Sequence, residues 1–190
     1  ALFSPKSAAQ QAYRLFTTPP TPNLRTKERA FLDTARVAYS IRGGRQVVEY
    51  HWGNPTAPYI LLSYGWGYNA GRWRHFVPEL VNAGYRVVAY DPPGHGQAMP
   101  GRIHFIHNVN IIRNIIEANG QPAALIAHSF GGACSVQCMD FLPETLHPKR
   151  MVVMGAFSNA RRGAFQNFRR ALGLSKRLYT AFEQKIAEEA

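Results

Sequence analysis

Cysteine is nearly absent from this chain: 190 residues contain two, Cys134 and Cys138. So few thiols build no disulfide framework, and a reducing cytoplasm is the expected compartment. The pair stands four residues apart in a stretch that reads as helix, on one face, without the histidines that would complete a tetrahedral zinc site, so both read as small buried core residues. Acidic side chains are scarce as well, 11 against 22 Lys and Arg, which leaves a formal charge of +11. The basic residues form small groups, Arg25/Lys27/Arg29, Arg72/Arg74, Arg161/Arg162 and Arg169/Arg170, separated by apolar sequence. With no long basic run and no base-reading module, they read as a solvated basic surface rather than a nucleic-acid interface. Long apolar runs are missing too. No segment approaches the ~20 residues needed to cross a bilayer. The opening ALFSPKSAAQQAYRLFTTPPTP is interrupted by Pro, Lys, Gln and Arg, so no signal peptide is expected.

What is present is enough apolar sequence, 46% of residues, for one domain with a sizeable core. Residues 7–16 predict a short helix ended by Pro19, Pro20 and Pro22, and residues 1–33 read as an arm. Two Val/Tyr/Ile-rich stretches, 34–41 and 45–52, flank Gly43-Gly44 and predict an edge hairpin. Apolar runs then alternate with helical stretches: YILLSY at 59–64, a helix near 71–83, RVVAY at 86–90, a helix from 104 to 118, AALIAH at 123–128, a helix from Gly131 to Phe141, and MVVMG at 151–155. Short continuous apolar strands separated by helices predict a three-layer α/β fold with a mostly parallel sheet, covering residues 34–160. From 161 to 190 the chain reads as basic amphipathic helix, with Phe165, Phe168, Ala171 and Leu172 as one apolar stripe. That pattern fits a surface helix pair and the start of a lid equally well.

The strongest chemical signal is AHSFGG at 127–132, directly after an apolar strand and directly before a helix. A nucleophile elbow needs this context, because its serine occupies a strained turn and small neighbours must let strand and helix approach. Ser129 is the candidate nucleophile, with Ala127, His128 and Gly131 forming the elbow; alanine stands where G-x-S-x-G has its first glycine. Upstream, SYGWGYNAGRW at 63–73 follows a strand, and its glycines at 65 and 67 permit a sharp turn. The main-chain N–H of Trp66 and that of Phe130 are the candidate oxyanion donors. DPPGHGQA at 91–98 is a second glycine-rich loop after a strand.

The ordered set YGWG, YDPPGHG and HSFGG, with these intervening elements, resembles the α/β-hydrolase superfamily, particularly its bacterial esterase- and lipase-like members, over roughly residues 34–160. The resemblance implies a Ser-His-Asp/Glu hydrolase acting on a small carboxylic ester or related acyl substrate, with Ser129 as nucleophile and no metal or organic cofactor. One departure is Tyr64, where the family usually carries a structural His; the tyrosine hydroxyl is a possible substitute for its hydrogen bond.

In the family the acid and the His follow the nucleophile, yet downstream of Ser129 the sequence offers only Asp140 and His147. Asp140 lies 11 residues along the helix from Ser129, ~16 Å away at 1.5 Å per residue, and His147 precedes a strand at the same far end. His128 points to the opposite face from Ser129. His95 is the one histidine in a loop near the site, with a structural role as its default. The resemblance therefore implies a chain stopping ~80–100 residues short of the family's layout. In that case MVVMG is an exposed edge strand prone to self-association. A non-catalytic binding module that keeps the pocket is the alternative, and an anionic-surface binder a third reading resting on charge alone.

Overall fold

The computed structural model describes residues 5–159 and 161–189, which fall into two compact units. The larger unit runs from Pro19 to Ala156. It opens with helix α2, Thr26–Leu32, after α1 of the smaller unit, and continues with the hairpin β1, Arg36–Arg42, and β2, Arg45–Trp52. Strand β3, Tyr59–Ser63, leads through a 3-10 turn, Ala70–His75, into α3, Val77–Asn82. Then follow β4, Arg86–Asp91; α4, Phe105–Asn119; β5, Ala124–His128; α5, Ser129–Cys138; and β6, Met151–Met154. The helix expected near 71–83 is thus two pieces, because Pro78 lacks the N–H that would continue a helix and sits instead in the first turn of α3.

The six strands form one sheet in the order β1-β2-β4-β3-β5-β6. β1 with β2 and β2 with β4 are antiparallel, while β4, β3, β5 and β6 run parallel. Alternate residues of each strand feed two cores. Leu61, Val88, Leu125 and Ala127 meet Val109, Ile112 and Ile116 of α4 and Cys134 and Cys138 of α5. Val48, Ile60, Leu62, Val87 and Ala89 meet Leu32 of α2, Trp73 and Val77. Both cysteines are free thiols in the core. β6 is the last strand of the sheet, and Val152 and Val153 on it are exposed.

The smaller unit comprises α1, Pro5–Thr17, a π turn at Arg161–Phe165, α6, Gln166–Leu172, and α7, Lys176–Glu188. Its core is aromatic: the Phe16 ring stands edge-on to Phe165, Phe168 and Phe182 at 5.4, 5.0 and 5.3 Å. The expected stripe is only half realised. Phe165 and Phe168 pack inward with Leu174, whereas Ala171 and Leu172 are exposed, and α6 ends at Gly173 in a left-handed turn. Among the described residues no helix is long and apolar enough to cross a membrane.

Candidate active site

Parallel strands deliver their carboxyl ends to one rim of the sheet, and the motif residues gather at the ends of β3, β4 and β5. β5 passes into α5 without a loop, so the junction must turn within one residue. That residue is Ser129, with φ of +52°, and among the described residues no other non-glycine has a positive φ. A side chain there costs of order 1–3 kcal/mol, which the surrounding packing must offset. The turn needs a close approach between α5 and β3. A Cβ on Gly131 would lie 2.5 Å from both the Ser63 hydroxyl and the Tyr64 carbonyl, and its N–H donates to that carbonyl at 3.1 Å.

The loop after β3 lies against the same turn. A Cβ on Gly65 would stand 3.0 Å from His128 Nδ1 and 3.2 Å from Ser129 Cβ, so the backbone passes close beside the serine and a side chain at 65 would require its neighbours to give by a few tenths of an ångström. The Trp66 ring meets Phe130 edge-on at 5.2 Å. Among the described residues neither the Trp66 nor the Phe130 main-chain N–H takes part in a backbone bond that ties loops or turns together, and Phe130 falls in the first turn of α5, where helical N–H groups lack intrahelical acceptors. The loop that carries Trp66 and the turn that carries Ser129 and Phe130 thus lie side by side.

His128 goes the other way. Its ring stands 6.3 Å from that of Tyr68 and lines a cleft of about 300 Å3 with Tyr64, Arg72, Trp73, Phe76 and Met154, side chains of the α2/α3 face. Asp140 and His147 are also accounted for. Asp140 accepts from Gln137 at 2.7 Å, and His147 Nε2 bonds the Met139 and Leu142 carbonyls at 3.1 and 3.2 Å, all at or beyond the far end of α5. His95 is buried, with Nδ1–H toward the Pro93 carbonyl at 3.2 Å and Nε2 accepting the Gly67 N–H at 3.1 Å. These contacts assign a neutral tautomer with no lone pair left for Ser129. Burial pushes its pKa down, against the Pro93 bond and the charge of Asp91.

The residue that sequence reasoning passed over is Asp91, fully buried at the end of β4. Tyr64 Oη donates to its Oδ1 at 2.6 Å and the Ala70 N–H to the same oxygen at 2.8 Å. Tyr50 Oη and the Gln97 N–H donate to Oδ2 at 2.8 and 2.9 Å. Tyr64 therefore does anchor the β3 loop through its hydroxyl. The one signal was a carboxylate closing an apolar strand before Pro-Pro.

The family model for the alpha/beta hydrolase fold matches residues 58–173, more than half of the chain. The chain belongs to the α/β-hydrolase family. Over 111 residues this α/β hydrolase is 29% identical to epoxide hydrolase A of Mycobacterium tuberculosis, covering 56% of the chain and 33% of that protein. Over 100 residues it is 30% identical to a monoacylglycerol lipase of Mycolicibacterium smegmatis, covering 47% and 36%. The chain spans about a third of the length of these relatives. Among solved structures, an esterase from Rhodococcus sp. aligns with a TM-score of 0.59 at 21% identity, over 68% of this chain and 49% of that one, a likeness of fold.

Proposed function

We propose that this α/β hydrolase acts on carboxylic esters or related acyl compounds, with Ser129 as nucleophile and the N–H groups of Trp66 and Phe130 as oxyanion donors. The observation that carries the reading is the φ of +52° at Ser129, strain retained at the one point where strand, helix and the Trp66 loop converge. In the reaction, Ser129 Oγ adds to the acyl carbonyl and the two N–H groups receive the developing oxyanion. The alcohol departs, and water then cleaves the acyl-serine.

Ser129 needs a general base, since a serine hydroxyl is a weak nucleophile while protonated. Of the described histidines near it, His95 spends Nε2 on the Gly67 N–H, and the His128 side chain lines the cleft with Tyr68 and Met154. We infer that base and acid come from sequence other than these residues, and the full-length product of the gene is where to seek them. A non-catalytic module that keeps the pocket is the competing reading, favoured by this same lack. Both buried thiols fit a reducing compartment, as the cytoplasm provides.

The test is a fluorophosphonate probe applied to this chain and to the full-length product, with the labelled residue located by mass spectrometry. Labelling of Ser129 in the longer protein is the expected result. Failure in both, with the fold intact by circular dichroism, would leave the binding module.

A further inference from the structure

Three hydrogen bonds, to Asp91 at the end of β4 and to His95 in the loop after it, hold the segment that carries the Trp66 N–H. Asp91 Oδ1 takes both the Tyr64 hydroxyl at 2.6 Å and the Ala70 N–H at 2.8 Å, so the two ends of residues 64–70 hang on one oxygen atom. The middle of that segment is held separately, by the Gly67 N–H donating to His95 Nε2 at 3.1 Å. The anchors are themselves fixed. Gly94 and Gly96 flank His95 with φ of +74° and +49°, and a Cβ on Gly96 would fall 1.9 Å from Asp91 Oδ2. His95 and Asp91 are both buried.

Resting on the reading of Trp66 as an oxyanion donor, we propose that Tyr64, Asp91 and His95 are positioning residues for its N–H, with Tyr64 a lock that pH does not open and His95 a lock that acid releases. The chemistry of the two contacts differs. Tyr64 is the donor and a carboxylate the acceptor, and burial together with the charge of Asp91 holds the phenol protonated far above its ordinary range. His95 is the acceptor. Protonating Nε2 turns it into a donor facing another donor, the Gly67 N–H, and the contact becomes repulsive. The groups facing the imidazole are Asp91, Tyr64 and Tyr90, with the Trp66 ring edge-on at 5.3 Å and the Pro93 carbonyl on Nδ1. Burial outweighs the charge of Asp91 and favours the neutral ring.

Tyr64→Phe keeps the ring and removes the donor; Tyr64→His alters the ring and keeps a donor. In the full-length product, with p-nitrophenyl acetate, Tyr64→Phe is expected to lower kcat about tenfold with KM within about twofold, less than the 10²–10³ that follows loss of a whole oxyanion donor. Tyr64→His is expected to recover kcat to within about threefold of the parent. Full activity in Tyr64→Phe, or equal loss in both variants, makes Tyr64 a packing residue and overturns the proposal. An inactive parent sinks the hydrolase reading instead, and a second measurement covers that case. In the 190-residue chain labelled with ¹⁵N-glycine, the Gly67 amide is expected to shift and to lose protection from exchange as His95 titrates below about pH 6.5. His95→Gln, whose side-chain carbonyl accepts at every pH, is expected to abolish that titration. A Gly67 amide unmoved between about pH 8 and about pH 4.5 removes the acid-released lock.

Discussion

Asp91→Asn tests the central claim about how the site is held. The carboxylate is fully buried and meets four donors: two phenols and two main-chain N–H groups, at 2.6–2.9 Å. An isosteric asparagine keeps one oxygen and turns the other into an NH2, so whichever way the amide flips, two of the four donors face a donor. Hydrogen bonds to charged groups contribute about 1.5–3 kcal/mol each, and buried donors left without acceptors cost about 1–3. Because the remaining pair also loses its charged acceptor, we expect a net loss of about 3–5 kcal/mol rather than the larger sum. For a chain of this size about 2–4 °C accompanies each kcal/mol, so Tm falls by roughly 6–20 °C. Calorimetry at neutral pH reads the shift. A double-mutant cycle assigns it: Tyr50→Phe costs less in the Asn background than in the parent, since the acceptor it loses is already compromised. A drop below about 3 °C, or strict additivity with Tyr50→Phe, refutes the account of Asp91 as the common anchor.

Three further outcomes are expected. Gly131→Ala forces a methyl into backbone 2.5 Å away and costs at least about 1–3 kcal/mol, more than Gly132→Ala, whose Cβ meets side-chain methyls at 3.0 Å; thermal unfolding of the two variants gives the order. Burial pushes Cys138 up to about 12 and Cys134 higher still, so Ellman's reagent is expected to find no thiol in the native chain and two on denaturation. Burial alone would raise Glu49, but hydrogen bonds from His51, Arg42 and Ser40 outweigh it and bring its pKa down to about 2 from 4.5. Since the folded state then binds the proton less readily than the unfolded, this contribution is complete above pH 4.5 and is lost as pH falls toward about 2. The stability gap between the parent and Glu49→Gln should close over that interval.

The strands were legible because each is a continuous apolar run or an alternating hairpin arm, and burial on two faces leaves that mark directly in the sequence. So was the sharp strand-to-helix turn at Ser129, where an apolar strand runs straight into a helix with two glycines near its start. What escaped was either short or long-range. α2 is seven residues of mixed character, TKERAFL, too brief to show a period. Asp91 draws its donors from β2, from the β3 loop, from the 3-10 turn and from its own loop, a convergence that only the folded chain creates. A histidine between glycines gives no hint that its Nε2 is spent on another loop's amide. Leu172, the last residue of α6, is exposed although a helical count across 165–172 puts it on the apolar stripe.

The matched relatives include proteins named epoxide hydrolase and a monoacylglycerol lipase, and the proposed role of Ser129 as nucleophile predicts different outcomes for those two kinds of substrate. A serine oxygen that opened an epoxide would be left in an ether, with the ring oxygen released as an alkoxide on the product and no carbonyl at which water could cleave the new bond. A carboxylate there would instead form an ester that water cleaves. Of these two substrate classes, only the acyl compound gives serine a bond that water readily cleaves, and on the proposed reading the Trp66 and Phe130 N–H groups serve the oxyanion formed on the attacked carbonyl. The full-length product is therefore expected to hydrolyse p-nitrophenyl acetate and to leave styrene oxide untouched, with Ser129→Ala abolishing the ester activity. Epoxide opening that survives Ser129→Ala would place the chemistry on another residue, and ester hydrolysis that survives it would remove Ser129 from the mechanism.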